Sequence, residues 1–333
     1  MKVSPASPSV TIAMTAYNVA PYIGAAIESL LAQTYGDFEL LIVDDQSNDA
    51  SRAVAERFAA ADGRVQLVAS GEKGRVPALN RILGEARGAW FAVFDADDVA
   101  RPDKFERQMA FLKANPDHGV VGSGNRTINA DGRLLVSPPF DRPLRHEDLI
   151  ADMESGIKLL HSTMIARTEL VRQVGGYRAP FRYSQDYDLY LRLAGVTRMA
   201  NLEEKLVDYR VYSDQVSTRH LVAQTLSATV AWYSHRARAQ GQADPLSGMS
   251  ALPALGTLDH LFGVTGADAH ARARIIERIV YSPETLAGDG YSPLLDHIRE
   301  AGASATLWRA AARMLKAGFP GKAARVGLAL ATA

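Results

Sequence analysis

Four short apolar runs alternate with stretches of helical periodicity between residues 10 and 98, and two of those runs end on clustered aspartates. Residues 10–14 lead into Thr15-Ala16-Tyr17-Asn18, and residues 38–43 stop at Asp44-Asp45. Residues 64–69 make the third run, and residues 89–94 stop at Asp95-Ala96-Asp97-Asp98. Apolar runs this short, bounded by polar turns, read as buried strands. After Pro21, the residues Ile23, Ile27, Leu30 and Leu31 recur at helical spacing. A second helix is predicted over 53–60, and a third over 77–87, closed by Gly88. This alternation predicts an α/β fold whose mostly parallel sheet carries helices on both faces. Such sheets bind ligands beyond the carboxyl ends of their strands, where both aspartate clusters fall.

The pattern loosens after residue 100. Helices are predicted over 104–113, 168–174 and 186–194, and strands over 162–166 and 206–211. The Gly- and Pro-rich stretch 119–143 reads as short strands and loops. Beyond Ser217 the periodicity is almost wholly helical, which places a domain boundary there: a catalytic domain over 1–216 and a helical region over 217–333. The first divides into halves at 8–100 and 101–216.

Composition narrows the partners. Lys plus Arg equals Asp plus Glu at 37 each, so no overall field draws in nucleic acid. The absence of cysteine excludes disulfides, zinc–thiolate sites and thiol nucleophiles, and suits a reducing cytoplasm. The first ten residues hold no apolar signal core, and no run reaches the roughly 20 apolar residues of a membrane helix. A cytoplasmic chain is expected, at most peripheral at the inner face of the cell membrane.

Asp95, Asp97 and Asp98 put three carboxylates within four residues. Their repulsion is best tolerated beside a cation, and oxygen-only ligands favour Mg²⁺ or Mn²⁺. A solvated acidic turn is the competing interpretation. Asp44 and Asp45 can accept hydrogen bonds from a base or ribose, or belong to a helix-opening turn with Ser47 and Asp49. Asp186, at the start of a predicted helix, can act as a general base or merely complement the helix dipole. Gly122-x-Gly124 lacks the third glycine of a dinucleotide fingerprint, and there is no Gly-Lys-Ser/Thr phosphate loop.

Taken in order, several motifs together resemble family 2 glycosyltransferases with the GT-A fold, a Rossmann-like α/β architecture. They are residues 11–18, Ala32-Gln33-Thr34-Tyr35, residues 43–49, Pro77-Ala78-Leu79-Asn80, Phe94-Asp95-Ala96-Asp97-Asp98, Gly175-Gly176-Tyr177, Gln185-Asp186-Tyr187-Asp188-Leu189 and Tyr209-Arg210-Val211. The likeness spans residues 8–215. It implies a metal-dependent, inverting transfer from a UDP-hexose or UDP-N-acetylhexosamine to a hydroxyl of a saccharide or lipid-linked saccharide, in cell-surface polysaccharide or glycolipid synthesis. By it, Thr15 and Tyr17 flank the uracil, and Asp45 with Asp44 binds the base. Arg75 lies near the diphosphate. Asp95, Ala96 and Asp97 contact the donor, with Asp97 and Asp98 at the metal. Asp186 is the base, and His161 and Gln185 face the acceptor. His161 also fits a purely structural role.

Two departures stand out. Gln185 replaces a common Glu. Tyr212 stands where many members carry His, and is a poorer metal ligand. A sugar nucleotidyltransferase needs a glycine-rich loop after the first strand, which residues 15–21 lack. A non-catalytic nucleotide-sugar-binding scaffold is the other alternative. Beyond Glu300 no acidic residue follows, while Arg309, Arg313, Lys316, Lys322 and Arg325 accompany Leu307, Trp308, Met314 and Leu315. That segment fits either a membrane surface or packing on the chain itself or on a second copy.

Overall fold

The structure is a computed structural model that describes residues 7–137, 139–212 and 220–333. The chain forms two compact units, one ending at Tyr212 and the other made of the residues beyond it. The opening residues 1–6 and the boundary expected at 216/217 lie outside the described residues.

The first unit is built on one sheet. Its strands are β1 (Val10–Ala16), β2 (Phe38–Asp44), β3 (Val65–Val68), β4 (Trp90–Val93), β5 (Val99–Ala100), β6 (His118–Ile128), β7 (Leu134–Val136), β8 (Ile165–Arg167) and β9 (Arg198–Arg210). They run in the order β3-β2-β1-β4-β8-β6-β9-β5, with β7 paired to β6. The β3-β2-β1-β4 half is parallel throughout. In the other half β8 is antiparallel to both β4 and β6, β9 is parallel to β6, and β5 is antiparallel to β9. The sheet is therefore mixed: it is parallel throughout the N-terminal half, while the other half combines antiparallel pairs with the parallel β6–β9 pair.

Strand periodicity of two decides which helix covers which face. Val10, Ile12, Met14, Phe38, Leu40, Ile42, Ala92 and Phe94 form one buried cluster. Ile23, Ile27 and Leu30 of α1 (Ala20–Leu31), Ala55 of α2 (Ser51–Ala61), and Phe105 and Leu112 of α4 (Lys104–Ala114) complete it. The helix α3 (Arg75–Glu85) packs against β1 and β2, and its buried Leu79 and Ile82 lie outside that cluster. Three further helices, α5 (His146–Ile150), α6 (Thr168–Gln173) and α7 (Gln185–Leu193), follow in the second half.

Two long strands, β6 and β9, are where the sequence misleads. Residues 119–143 suggest short strands and loops, yet β6 runs unbroken for 11 residues from His118. Its glycines answer crowding: a Cβ at Gly122 would lie 2.5 Å from the Asn201 Oδ1 and 2.8 Å from the Leu159 side chain. Glycine demanded by close approach erases the strand signal at the same time. Similarly β9 begins at Arg198, well before the strand expected over 206–211, because the exposed Glu203 and Glu204 interrupt the apolar pattern and hide its start. The strand expected over 162–166 is preceded by a 3-10 turn, His161–Thr163, and spans Ile165–Arg167.

The second unit holds α8 (Leu221–Ala239), α9 (Leu258–Phe262), α10 (Ala267–Ile279), α11 (Pro283–Ala287), α12 (Tyr291–Ala301), α13 (Ala305–Lys316) and α14 (Pro320–Thr332). Ile275, Ile279, Leu286, Leu294, Ile298, Leu307, Met314 and Val326 form its core. Among the described residues no helix is long and apolar enough to cross a membrane.

Candidate active site

The loops after β1 and β2 are stitched to each other. The Asn18 amide donates to Ser47 Oγ at 3.0 Å, and the Asn48 amide donates back to Asn18 Oδ1 at 2.9 Å. Ser51 Oγ accepts from the Val19 amide at 2.8 Å. Asp49 serves two helices at once: Oδ1 accepts from the Ser51 amide at the start of α2, and Oδ2 from the Ala20 amide at the start of α1. Burial, the largest single influence, opposes ionisation, but these hydrogen bonds together outweigh it and hold the Asp49 carboxyl below its usual value.

These loops place the β1 and β2 candidates. Thr15 pairs with Val43 and Ala16 with Asp44 in the β1–β2 register. Tyr17 projects to solvent, with the Lys73 ammonium 4.6 Å from its ring centroid. Asp44 and Asp45 are both buried. Asp44 Oδ2 accepts weakly from the Ser47 amide at 3.3 Å, while Oδ1 is buried without a partner. Asp45 Oδ1 accepts from the Gly74 amide at 2.7 Å. Gly74 has φ +133°, a conformation open to glycine, and Arg75 follows it directly. The β2 carboxylate thereby fixes the start of α3.

The three aspartates after β4 have different environments. Asp95 is ion-paired to Arg75 and accepts from Ser162 Oγ at 2.8 Å. Burial is the largest influence and raises its carboxyl, but the Arg75 charge and the hydrogen bonds from Arg75 and Ser162 together outweigh it and hold the carboxyl below its usual value. Ala96 is buried. Asp97 is partly exposed; its Oδ2 accepts from the Tyr212 hydroxyl at 2.9 Å and its carbonyl from Arg210 Nε at 2.7 Å. Burial and the neighbouring Asp95 raise its carboxyl. Asp98 is wholly buried: Oδ1 accepts from the Arg210 amide at 2.9 Å, and Oδ2 has no partner. Burial, then the charges of Asp95 and Asp97, push its carboxyl well above the usual range. Arg210 ties this motif to the β6–β7 turn through the carbonyls of Asn129 and Ala130, and lies 4.8 Å over the ring of Tyr22.

A second cluster adjoins Asp95. Arg75 reaches His161 Nδ1 at 3.3 Å, and His161 Nε2 meets the Tyr177 hydroxyl at 2.9 Å. Burial brings the imidazole down to about 4, so it is neutral at physiological pH. With Nδ1 accepting from the guanidinium, the proton sits on Nε2 and is donated to Tyr177. Asp186 acts electrostatically on Arg75, His161, Tyr177 and Tyr190, which places it beside this cluster. It opens α7, partly exposed, with no hydrogen bond or ion pair to its carboxylate among the described residues. Two residues on, Asp188 is fully buried between Arg178 and Arg192, with contacts of 2.8–3.1 Å. Gln185 is buried at the first helical position.

The structure thus gathers Arg75, Asp95, His161 and Asp186 in one group, links Asp97 and Asp98 through Arg210, and keeps Asp44 and Asp45 at the end of β2. Lys73, Ser162 and Arg210 were not singled out by sequence. Only Arg210 lay within a motif, and the partners that position it here are at least 80 residues away. Tyr212 stands as a hydrogen-bond donor to Asp97.

These side chains fit a hard divalent cation of a particular kind. Among the described residues no three acidic or imidazole groups converge into a closed cage. A cation of the magnesium type is commonly held by one or two carboxylates and completed by water and substrate phosphate. The partly exposed carboxyl of Asp97, raised by burial and by the neighbouring Asp95, is what an acidic motif shows when positive charge is lacking.

A parallel α/β half with carboxylates at its strand ends, joined to a mixed half, defines the GT-A class of fold. The model of glycosyl transferase family 2 matches residues 11–164. EpsE of Bacillus subtilis is 33% identical over 221 residues, covering 64% of this chain and 76% of that one. WbnJ of Escherichia coli, an O-antigen biosynthesis glycosyltransferase, is 28% identical over 209 residues, 61% of this chain and 80% of its own. The structure of S. aureus TarS 1–349 with UDP-GlcNAc superposes with a TM-score of 0.54 at 16% identity, over 88% of this chain and 87% of that one. The chain belongs to glycosyltransferase family 2, and it is a glycosyltransferase.

Proposed function

We propose that the chain moves a sugar from a UDP-sugar, a hexose or N-acetylhexosamine, to a hydroxyl of a saccharide or lipid-linked saccharide, inverting the anomeric centre. WbnJ's role in O-antigen synthesis supports a cell-surface polysaccharide or glycolipid product, and the UDP-GlcNAc bound by TarS supports a UDP-sugar donor. Asp186 carries the reading: among the described residues it is the one carboxylate beside the Arg75–His161–Tyr177 cluster without a hydrogen-bonding partner of its own.

Asp186 accepts the proton of the acceptor hydroxyl. The acceptor oxygen bonds to the anomeric carbon as the bond to the diphosphate breaks, and UDP departs with that electron pair. A single displacement needs no second carboxylate nucleophile. Tyr17 offers an exposed face to the uracil, and Asp45 with Asp44 the carboxylates for its ring N–H. Asp97 is the accessible ligand for Mn²⁺ or Mg²⁺, oriented by Tyr212, while Asp98 anchors the motif to β9. A bound divalent ion supplies neutralisation of the charge that builds on the diphosphate. Arg75, fixed by Asp95 and His161, keeps a positive charge beside the same region.

The test is UDP release from a panel of UDP-sugars with Mn²⁺, repeated with chelator. Turnover of one UDP-sugar that stops on chelation is expected. UDP binding without turnover across panel and acceptors would instead make the chain a non-catalytic nucleotide-sugar binder.

A further inference from the structure

The last two helices carry an apolar face that the unit's own core does not use. On α13, the side chains buried in the core are Leu307, Ala310, Ala311 and Met314. Trp308 and Leu315, seven residues apart and so on one side of the helix, remain 46% and 57% exposed. On α14, Ala323, Val326 and Leu330 are buried while Leu328 is 66% exposed. The two stripes adjoin: a Cβ at Gly327, the residue before Leu328, would lie 3.7 Å from the Trp308 indole. Exposed Gly321, Ala324 and Ala331 continue the Leu328 side and leave it smooth.

The charge carried by these two helices has one sign. Past Glu300 the sequence has five cations and no acid. Arg313 and Lys322 are turned inward, to the carbonyls of Val280 and Ala287. Arg309, Lys316 and Arg325 are exposed, and no carboxylate pairs with them among the described residues. A protein partner of ordinary composition would leave three cations to be matched by specific acids. A bilayer bearing anionic headgroups matches them all without register, and its interfacial region is where an indole and leucines flanked by Arg and Lys partition.

We propose that the α13–α14 face docks the chain on the surface of an anionic lipid bilayer, with Trp308, Leu315 and Leu328 entering the headgroup–acyl boundary and Arg309, Lys316 and Arg325 lying among the headgroups. The assignment is independent of which sugar is transferred, since it uses none of the residues around the strand ends.

The experiment is co-sedimentation of the full chain with vesicles of phosphatidylcholine alone, or of phosphatidylcholine with phosphatidylglycerol. Binding to the mixed vesicles, weakened about tenfold or more in phosphatidylcholine or in 0.5 M salt, is expected. The triple variant Trp308→Ser/Leu315→Ser/Leu328→Ser should lose at least about tenfold of that binding while its circular-dichroism melt is unchanged, because the three side chains are exposed. Should the triple variant melt early, Arg309→Gln/Lys316→Gln/Arg325→Gln, which removes only exposed charge, is read in the same assay. No pelleting with mixed vesicles overturns the proposal, as does equal pelleting of the charge or apolar variants. Sedimentation velocity decides the remaining occupant: a wild-type dimer that the triple variant converts to monomer, without vesicle binding, assigns the face to a second copy instead.

Discussion

Asp186 and Asp188 sit two residues apart in the first turn of one helix, and they should fail in opposite ways when each is replaced by the isosteric asparagine. Asp188 is wholly buried and accepts from both Arg178 and Arg192. Removing its charge leaves two guanidiniums facing a neutral amide, and breaking a buried pair of this kind costs about 3–5 kcal/mol. For a unit of roughly 200 residues that lowers Tm by about 10 °C. Asp186 has no such partner and is partly exposed, so Asp186→Asn should change stability by no more than about 0.5 kcal/mol. Loss of a general base, by contrast, lowers the rate about 10²–10⁴-fold. Thermal melts followed by circular dichroism, paired with initial rates of UDP release, read both quantities. If Asp188→Asn melts like the wild type, or Asp186→Asn melts early or retains full turnover, the division of labour argued here is wrong.

Asp97→Asn should weaken Mn²⁺-dependent UDP binding at least about tenfold by calorimetry, whereas Asp98→Asn, which keeps an acceptor for the Arg210 amide, should change it less than about threefold; equal losses would return Asp98 to the metal. Lys104 is fully buried, with only Gln108 Oε1 at 3.0 Å and the rings of Phe105 and Phe94 around its ammonium, and burial brings it from 10.5 down to about 7. The unfolded chain therefore binds the extra proton between about pH 7 and 10.5, so the penalty is complete below pH 7 and fades as pH rises toward the unfolded value. That depression is worth about 5 kcal/mol, and after about 2 kcal/mol for the orphaned Gln108, Lys104→Met should be stabilised by about 3 kcal/mol at pH 6 and by less at pH 9; a pH-independent difference in urea melts would refute this. Gly122→Ala should destabilise by about 1–3 kcal/mol in the same melts, because its methyl would meet Asn201 and Leu159 inside van der Waals distance.

The parallel half of the fold was legible because its strands are short runs rich in apolar residues, the central ones buried on both faces, with every residue of β2 buried. The second half was not, because β6 must use glycine where Asn201, Leu159, Leu170 and Thr197 press on it. Clustered carboxylates likewise announce themselves, but what each one does is set by partners far along the chain. Nothing local separates Asp97 from Asp98; the Arg210 amide, 112 residues from Asp98, does so by turning one carboxylate inward. Nothing local separates Asp186 from Asp188 either, since both complement the helix dipole equally well. Ser47 and Asp49 read as caps for the helix that follows them, yet Asp49 also caps α1 and Ser47 serves Asn18.

Those cross-connections bear on why the strand-end loops hold their shape before any donor arrives. Among the described residues only Asn18, Gln46 and Ser184 adopt positive φ without being glycine, at 51°, 60° and 55°. Each costs about 1–2 kcal/mol relative to a relaxed backbone and persists only where surrounding contacts over-determine it. Asn18 follows Tyr17, Gln46 follows Asp45, and Ser184 comes two residues before Asp186. For Asn18 the compensation is visible: its amide and its side-chain oxygen are both engaged by the loop after β2. A left-handed residue turns the chain sharply enough for a strand's last side chain and the next helix's first turn to address the same space. Strain placed beside the nucleotide-binding and base candidates, and offset by bonds between the β1 and β2 loops, is the signature of a cleft organised ahead of its ligand. The sequence concealed it because asparagine, glutamine and serine are unremarkable in loops, and only the tertiary bonds show which loop residues carry the turn.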